Sequence, residues 1–171
     1  MKRLLILVTL LVVGSTVAFA QWKVTSSTDE ISGEKSCYAI SPSFGPTKPM
    51  SFPYSDVVSW VGVGIDKDGE WAFFGFSTSP NLTGGKIGDG YKAFEIRGRW
   101  DDKQVTLDLT QKWGSKFLHV MDDRFFIRNL LTRKLLIIEL DWYNEGNVYF
   151  KYDLSGAKEA IEKARAMCRG N

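Results

Sequence analysis

Apolar and polar positions alternate with period two over most of the chain, and the period lengthens to that of a helix only near the C-terminus. Val57, Ser59, Val61, Val63 and Ile65 share one face of a predicted strand, and Val58, Trp60, Gly62 and Gly64 share the other. Asp66-Lys67-Asp68-Gly69 supplies hairpin-turn residues. Glu70 to Ser77 returns as a strand with Trp71 and Phe73 on one face and Phe74 and Phe76 on the other. Aromatics on both faces place that strand inside a sandwich or under a helix. Trp60, Trp71 and Trp100 accordingly read as core.

Further strands are predicted over Trp22 to Ser26 and Ser36 to Ile40, before a proline-crowded loop from Ser41 to Pro49. Proline lacks a ladder donor and fixes φ, so that segment cannot continue a sheet. Gly84 to Gly90 reads as a glycine-rich loop. Tyr91 to Trp100 follows, with Phe94, Ile96 and Trp100 inward and Glu95, Arg97 and Arg99 outward. Gln104 to Thr110 alternates most cleanly, with Val105, Leu107 and Leu109 inward. Lys116 to Val120, Lys134 to Leu140 and Asn147 to Leu154 are also read as strands, the last two joined by a connection from Asp141 to Gly146. Asp122-Asp123 caps a short helix across Phe125 to Leu131, with a strand as the alternative. Ser155 is the expected N-cap of a terminal helix whose inner face carries Ala157, Ala160, Ile161, Ala164 and Cys168 and which Gly170 ends. The predicted fold is mainly β: an antiparallel β-sandwich or curved sheet with one C-terminal α-helix.

The first residues do not fit that pattern. Lys2 and Arg3 precede an apolar run from Leu4 to Val13, and Ala18-Phe19-Ala20 supplies small residues around a cleavage point. This is the layout of a secretory signal peptide. The run is shorter than the roughly 20 apolar residues that span a bilayer. Residues 1–20 are read as a signal peptide and 21–171 as one β-rich domain, with no transmembrane segment after cleavage. Lys and Arg number 22 against 20 Asp and Glu, so loss of Lys2 and Arg3 balances the charge. A neutral domain lacks the basic field that nucleic acid requires. Export to the periplasm or beyond places Cys37 and Cys168, the chain's two cysteines, where thiols oxidise. The pair is read as a disulfide, with free thiols as the alternative.

Candidate chemistry is sparse. Asp66-Lys67-Asp68-Gly69-Glu70 matches the start of a calcium loop but lacks the further ligands and flanking helices. Gly84 to Gly90 places Lys86 early and precedes a strand, unlike a phosphate loop. His119 is the sole histidine, which excludes multi-histidine metal sites, and no nucleophile-elbow pattern accompanies it. The carboxylate pairs Asp101/Asp102 and Asp122/Asp123 fall at turns. No catalytic residue, metal or cofactor is predicted. Aromatics at predicted turns are the candidate recognition anchors: Trp142 and Tyr143 chiefly, with Trp113. Arg97 and Arg99 would form a basic strip beside them.

Three phrases resemble a known family. WVGVGIDKDGEWAFFGF, LTQKWGSKFL and FKYDLSGAKEAIEKARAMC, between Trp60 and Cys168, are similar to small periplasmic accessory proteins associated with type VI secretion (the VasI/TagO type). The resemblance implies a β-rich periplasmic domain with an accessory or binding role and no established catalytic residues. Where members carry a cysteine in the central strand region, this chain has Ile65, which implies a different disulfide arrangement. The function expected is an exported, non-enzymatic binding or accessory protein of the cell envelope, its partner a protein or another envelope component. An envelope hydrolase, or an inhibitor of one, is the alternative.

Overall fold

A computed structural model describes residues 21–169. The predicted signal peptide and Gly170 lie outside the described residues. Among the described residues, ten strands form one antiparallel sheet that does not close. They are β1 (Lys23–Thr28), β2 (Lys35–Ile40), β3 (Ser59–Ile65), β4 (Glu70–Phe76), β5 (Lys86–Gly88), β6 (Tyr91–Trp100), β7 (Lys103–Lys112), β8 (Phe117–Val120), β9 (Leu135–Trp142) and β10 (Gly146–Asp153). Helix α1 (Asp123–Leu130) follows β8, and α2 (Ala157–Arg169) follows β10. The spatial order is β1-β2-β3-β4-β8-β7-β6-β9-β10, with β5 paired to β6.

The mainly β fold and the terminal helix agree with the sequence pattern. The sheet is curved, and it curls until its two halves share one core. Phe74 meets Tyr152 at 5.6 Å between ring centroids, and Phe76 meets Phe150 at the same distance. The Ser59 hydroxyl lies 2.7 Å from the Tyr152 hydroxyl across the gap. Burial pushes the Tyr152 phenol well above its ordinary pKa, so it remains neutral and hydrogen-bonded. The gap is spanned by the proline-rich loop, whose Phe44 bridges Ser59 and whose Pro46 bridges Phe150.

Both helices cover inner-face aliphatics and aromatics. Asp122 caps α1 by accepting from the Phe125 N–H at 2.9 Å, which resolves the helix-or-strand alternative. Phe126 of α1 packs against Phe74 and Trp100, at 5.4 and 5.0 Å. Helix α2 buries Ala157, Ala160, Ile161 and Ala164. Cys37 and Cys168 stand at bonding distance with Cα atoms 5.8 Å apart, joining β2 to α2. Arg165 of α2 also makes a bidentate ion pair with Glu70 of β4, at 2.7 and 2.6 Å.

Three local expectations are corrected. The glycine-rich segment is not wholly loop, since Lys86–Gly88 pairs with Tyr91–Ala93 as a short hairpin. Ser155 does not cap α2 through its side chain. Instead the Asp153 carboxylate accepts from the Ser155 N–H at 2.9 Å, and the helix starts at Ala157. The connection after β9 is also shorter than the polar run suggested. Trp142 is the last residue of β9 and pairs with Gly146, leaving Tyr143 to Glu145 as the turn. Asn144 and Gly146 adopt the left-handed backbone this requires, with φ of 61° and 70°.

Candidate binding surfaces

The shortened hairpin decides the fate of the foremost predicted anchor. Inward positions of β9 run Leu136, Ile138, Leu140 and Trp142, so Trp142 continues the core face and is 0% exposed. It packs against Tyr54, Phe76 and Phe150. Trp142 is therefore a core residue and not a recognition anchor. Tyr143, next in sequence, points away and is 52% exposed, and Trp113 is 64% exposed. The two flank the same segment from different elements. The Tyr143 N–H donates to the Asn81 carbonyl at 2.8 Å, while Trp113 shares a 230 Å³ cavity with Asn81, Leu82, Lys92 and Gln111.

Arg97 and Arg99 do share the outer face of β6, as predicted. Glu139 of β9 complicates the expected basic strip. Its carboxylate accepts three bonds from Arg97, one from Nε at 3.0 Å and two from Nη2 at 2.7 and 2.5 Å, and this hydrogen bonding raises the Arg97 pKa. Tyr149 of β10 lies beside the same carboxylate, which raises its phenol pKa. Arg97, Arg99, Glu139 and Tyr149 border a 610 Å³ depression with Gln104 and Thr106. One of its two guanidinium charges is already neutralised, so its pull on an anion is weak.

A different surface emerges where the sequence pattern had indicated core. The outward positions of β3 are Trp60, Gly62 and Gly64, and those of β4 are Trp71, Phe73 and Gly75. The register set by the Asp66–Gly69 turn pairs Trp60 with Gly75, Gly62 with Phe73 and Gly64 with Trp71. Each large ring thus faces a glycine on the neighbouring strand. A Cβ at Gly62 would overlap the Phe73 ring, and one at Gly64 or Gly75 would overlap the indole of Trp71 or Trp60. The missing side chains let the rings settle onto the sheet, the packing known as aromatic rescue of a strand glycine. Trp60 and Trp71 are part-buried, and Phe73 between them is buried at 6% exposure. Both helices pack on the inner side, so this outer face has no covering layer among the described residues.

Flanking strands extend the surface. Phe117 of β8 meets Phe73 edge to face at 5.6 Å and Trp60 at 6.5 Å. Tyr38 of β2 meets Trp71 at 6.0 Å, and Phe73 lies 6.5 Å from His119. With Ile40, these residues surround an open depression of 420 Å³ that no Lys, Arg, Asp or Glu lines. Comparison of the chain with protein-family models, curated proteins and solved structures finds no match. The surface must be interpreted from its own chemistry.

That chemistry is adhesive. Among the described residues, no hydrogen bond engages the Trp60 or Trp71 indole N–H, the Tyr38 hydroxyl or the His119 imidazole. His119 has no serine partner there, so the nucleophile–base contact of a hydrolase is not assembled. Asp123, whose charge His119 favours, has a pKa raised chiefly by burial, and its carboxylate accepts from the Ala72 N–H at 2.7 Å. The other acidic motifs are structural. Asp66 closes its turn by accepting from the Asp68 and Gly69 N–H groups, and Asp101 accepts from those of Lys134 and Leu135. No group of three His, Cys, Asp or Glu side chains among the described residues is placed to hold a metal. No helix there is long and apolar enough to cross a membrane.

Proposed function

We propose that the chain is an exported, non-enzymatic binding module of the cell envelope, an accessory protein whose recognition surface is the outer aromatic face of β2, β3, β4 and β8. One observation carries this reading: part-exposed Trp60 and Trp71 and buried Phe73 between them are seated against three cross-strand glycines, with no further strand or helix layered over that face among the described residues. Contiguous uncovered apolar surface marks interaction sites. Rings held by glycines also lose little conformational freedom on binding, which lowers the entropic cost of capture. The Cys37–Cys168 pair at bonding distance supports residence in an oxidising compartment. The signal-peptide pattern of residues 1–20 supports the same route.

Immobilised protein beginning at Gln21, and its Trp60→Ala/Trp71→Ala variant, should be incubated with separated protein, polysaccharide and lipid fractions of cell envelopes. The wild type should retain material from at least one fraction. The variant should retain at least about tenfold less, with an unchanged circular dichroism spectrum. Equal retention by both, or none by the wild type, would refute the assignment.

A further inference from the structure

We infer that the ligand of this face is an uncharged saccharide chain, stacked on Trp71 and Trp60, with buried Phe73 as the floor between them. The inference rests on the binding-module reading and specifies what is bound.

Three features select that chemistry. The first is neutrality. Seven residues border the depression, and none is Lys, Arg, Asp or Glu. Nucleic acid or an acidic polymer needs positive groups along its backbone, and no Lys or Arg lines the depression. The second is the arrangement of the rings. The pairs Gly64–Trp71, Gly62–Phe73 and Trp60–Gly75 are successive outward rows of one hairpin. Each row carries one aromatic, and the part-exposed Trp71 and Trp60 stand two rows apart, about 13.6 Å at 3.4 Å of rise per residue, with buried Phe73 between them. Two rings at that separation suit a polymer of repeated flat units. A pyranose presents axial C–H groups on its face, which pack on an aromatic ring.

The third feature is the set of donors at the ring edges. The Trp60 and Trp71 Nε1–H groups and the Tyr38 hydroxyl have no protein hydrogen-bond partner among the described residues, and neither has His119. An apolar helix laid here, its own carbonyls already engaged, would strip water from those donors and leave them unpaired, which disfavours it. A sugar ring carries hydroxyls around its whole rim and can accept from them. Apolar faces with hydroxyl edges thus complement apolar rings with N–H and O–H edges.

The test is titration of the protein from Gln21 onward with uncharged β-1,4-linked oligomers of glucose and of N-acetylglucosamine, from monosaccharide to hexasaccharide. Binding is read from the indole N–H resonances of ¹⁵N-labelled protein. The Trp60 and Trp71 signals should shift saturably, while those of buried Trp100 and Trp142 stay fixed. Affinity should rise with oligomer length and be insensitive to added salt, since no ion pair contributes. Trp71→Ala should weaken it at least about tenfold, whereas Trp113→Ala should leave it unchanged. Absence of shifts at millimolar hexasaccharide overturns the saccharide assignment, as does stronger binding of an apolar helical peptide that shifts the same signals. If envelope capture still depends on Trp60 and Trp71 in that case, the binding-module reading survives and only the ligand class falls. If capture is also lost, both fall.

Discussion

Trp71 of β4 fills, above Gly64 of β3, the space that any side chain at position 64 would occupy. The pair couples the stability of the hairpin to the geometry of its exposed face, because the ring cannot move without uncovering backbone.

Gly64→Ala should therefore lower stability by about 1–3 kcal/mol, as overpacking does elsewhere. It should also displace the Trp71 ring, seen as a changed indole N–H shift. Gly88→Ala is the matched control, since an added Cβ there meets nothing within 4 Å. That change should stay within about 0.5 kcal/mol of wild type. Equal melting temperatures for the two variants would show that the ring does not depend on the glycine.

Adjacent Trp142 and Tyr143 should respond oppositely. Trp142→Ala empties a fully buried site and should cost about 3–5 kcal/mol. Tyr143→Ala removes an exposed ring and should cost under about 0.5 kcal/mol. Trp142→Phe should fall between them. The Trp142 indole N–H is buried without a protein acceptor, so its loss forfeits only volume. Urea unfolding of the three variants measures all of this.

Much of the fold was legible because most strands bury one face only. Phe94 and Ile96 against Leu107 and Leu109 give a period of two that no helix shares, and the small inner face of α2 announces its close packing. Trp142 was misread because Asp141, Asn144, Glu145 and Gly146 surround it with turn-forming residues, while its inward direction follows from the register of β9 with β10. The aromatic face was hidden for a different reason. Periodicity shows that Trp60, Trp71 and Phe73 share a face, but it cannot show whether another layer covers that face. A usable signal was present: with the Asp66–Gly69 turn fixing the register, every outward ring on one strand faces a glycine on the other. Burial on both sides would call for larger residues at those positions.

The Asx turn before α2 should make stability depend on acid. Hydrogen bonds from Ser155 lower the Asp153 pKa in the folded state below its ordinary value. The native state thus binds fewer protons here than the unfolded chain at pH near 3.8. The contribution is complete above the unfolded pKa and is lost as pH falls through the folded one. Asp153→Asn should lower the melting temperature at pH 7, and the difference from wild type should shrink steadily below about pH 4. A difference that stays constant down to pH 3 would assign the effect to geometry and not to charge.

Two of the attachments that hold helix α2 have effects that should not add. The Cys37–Cys168 pair closes a loop with a sequence separation of 131, worth about 2–4 kcal/mol in typical cases. The Arg165–Glu70 ion pair, largely shielded from water at both ends, ties the same helix to β4. With the bridge intact, loss of Arg165 leaves α2 tethered at its C-terminal end, and its alanine face stays docked. Arg165→Gln alone should then cost about 1 kcal/mol or less. In a Cys37→Ala/Cys168→Ala background the helix can swing away once the ion pair is gone. There the same substitution should cost at least about 1 kcal/mol more, a coupling that a double-mutant cycle of thermal melts resolves. Strict additivity would mean that the alanine face alone holds α2 against the sheet, with neither attachment guarding the other.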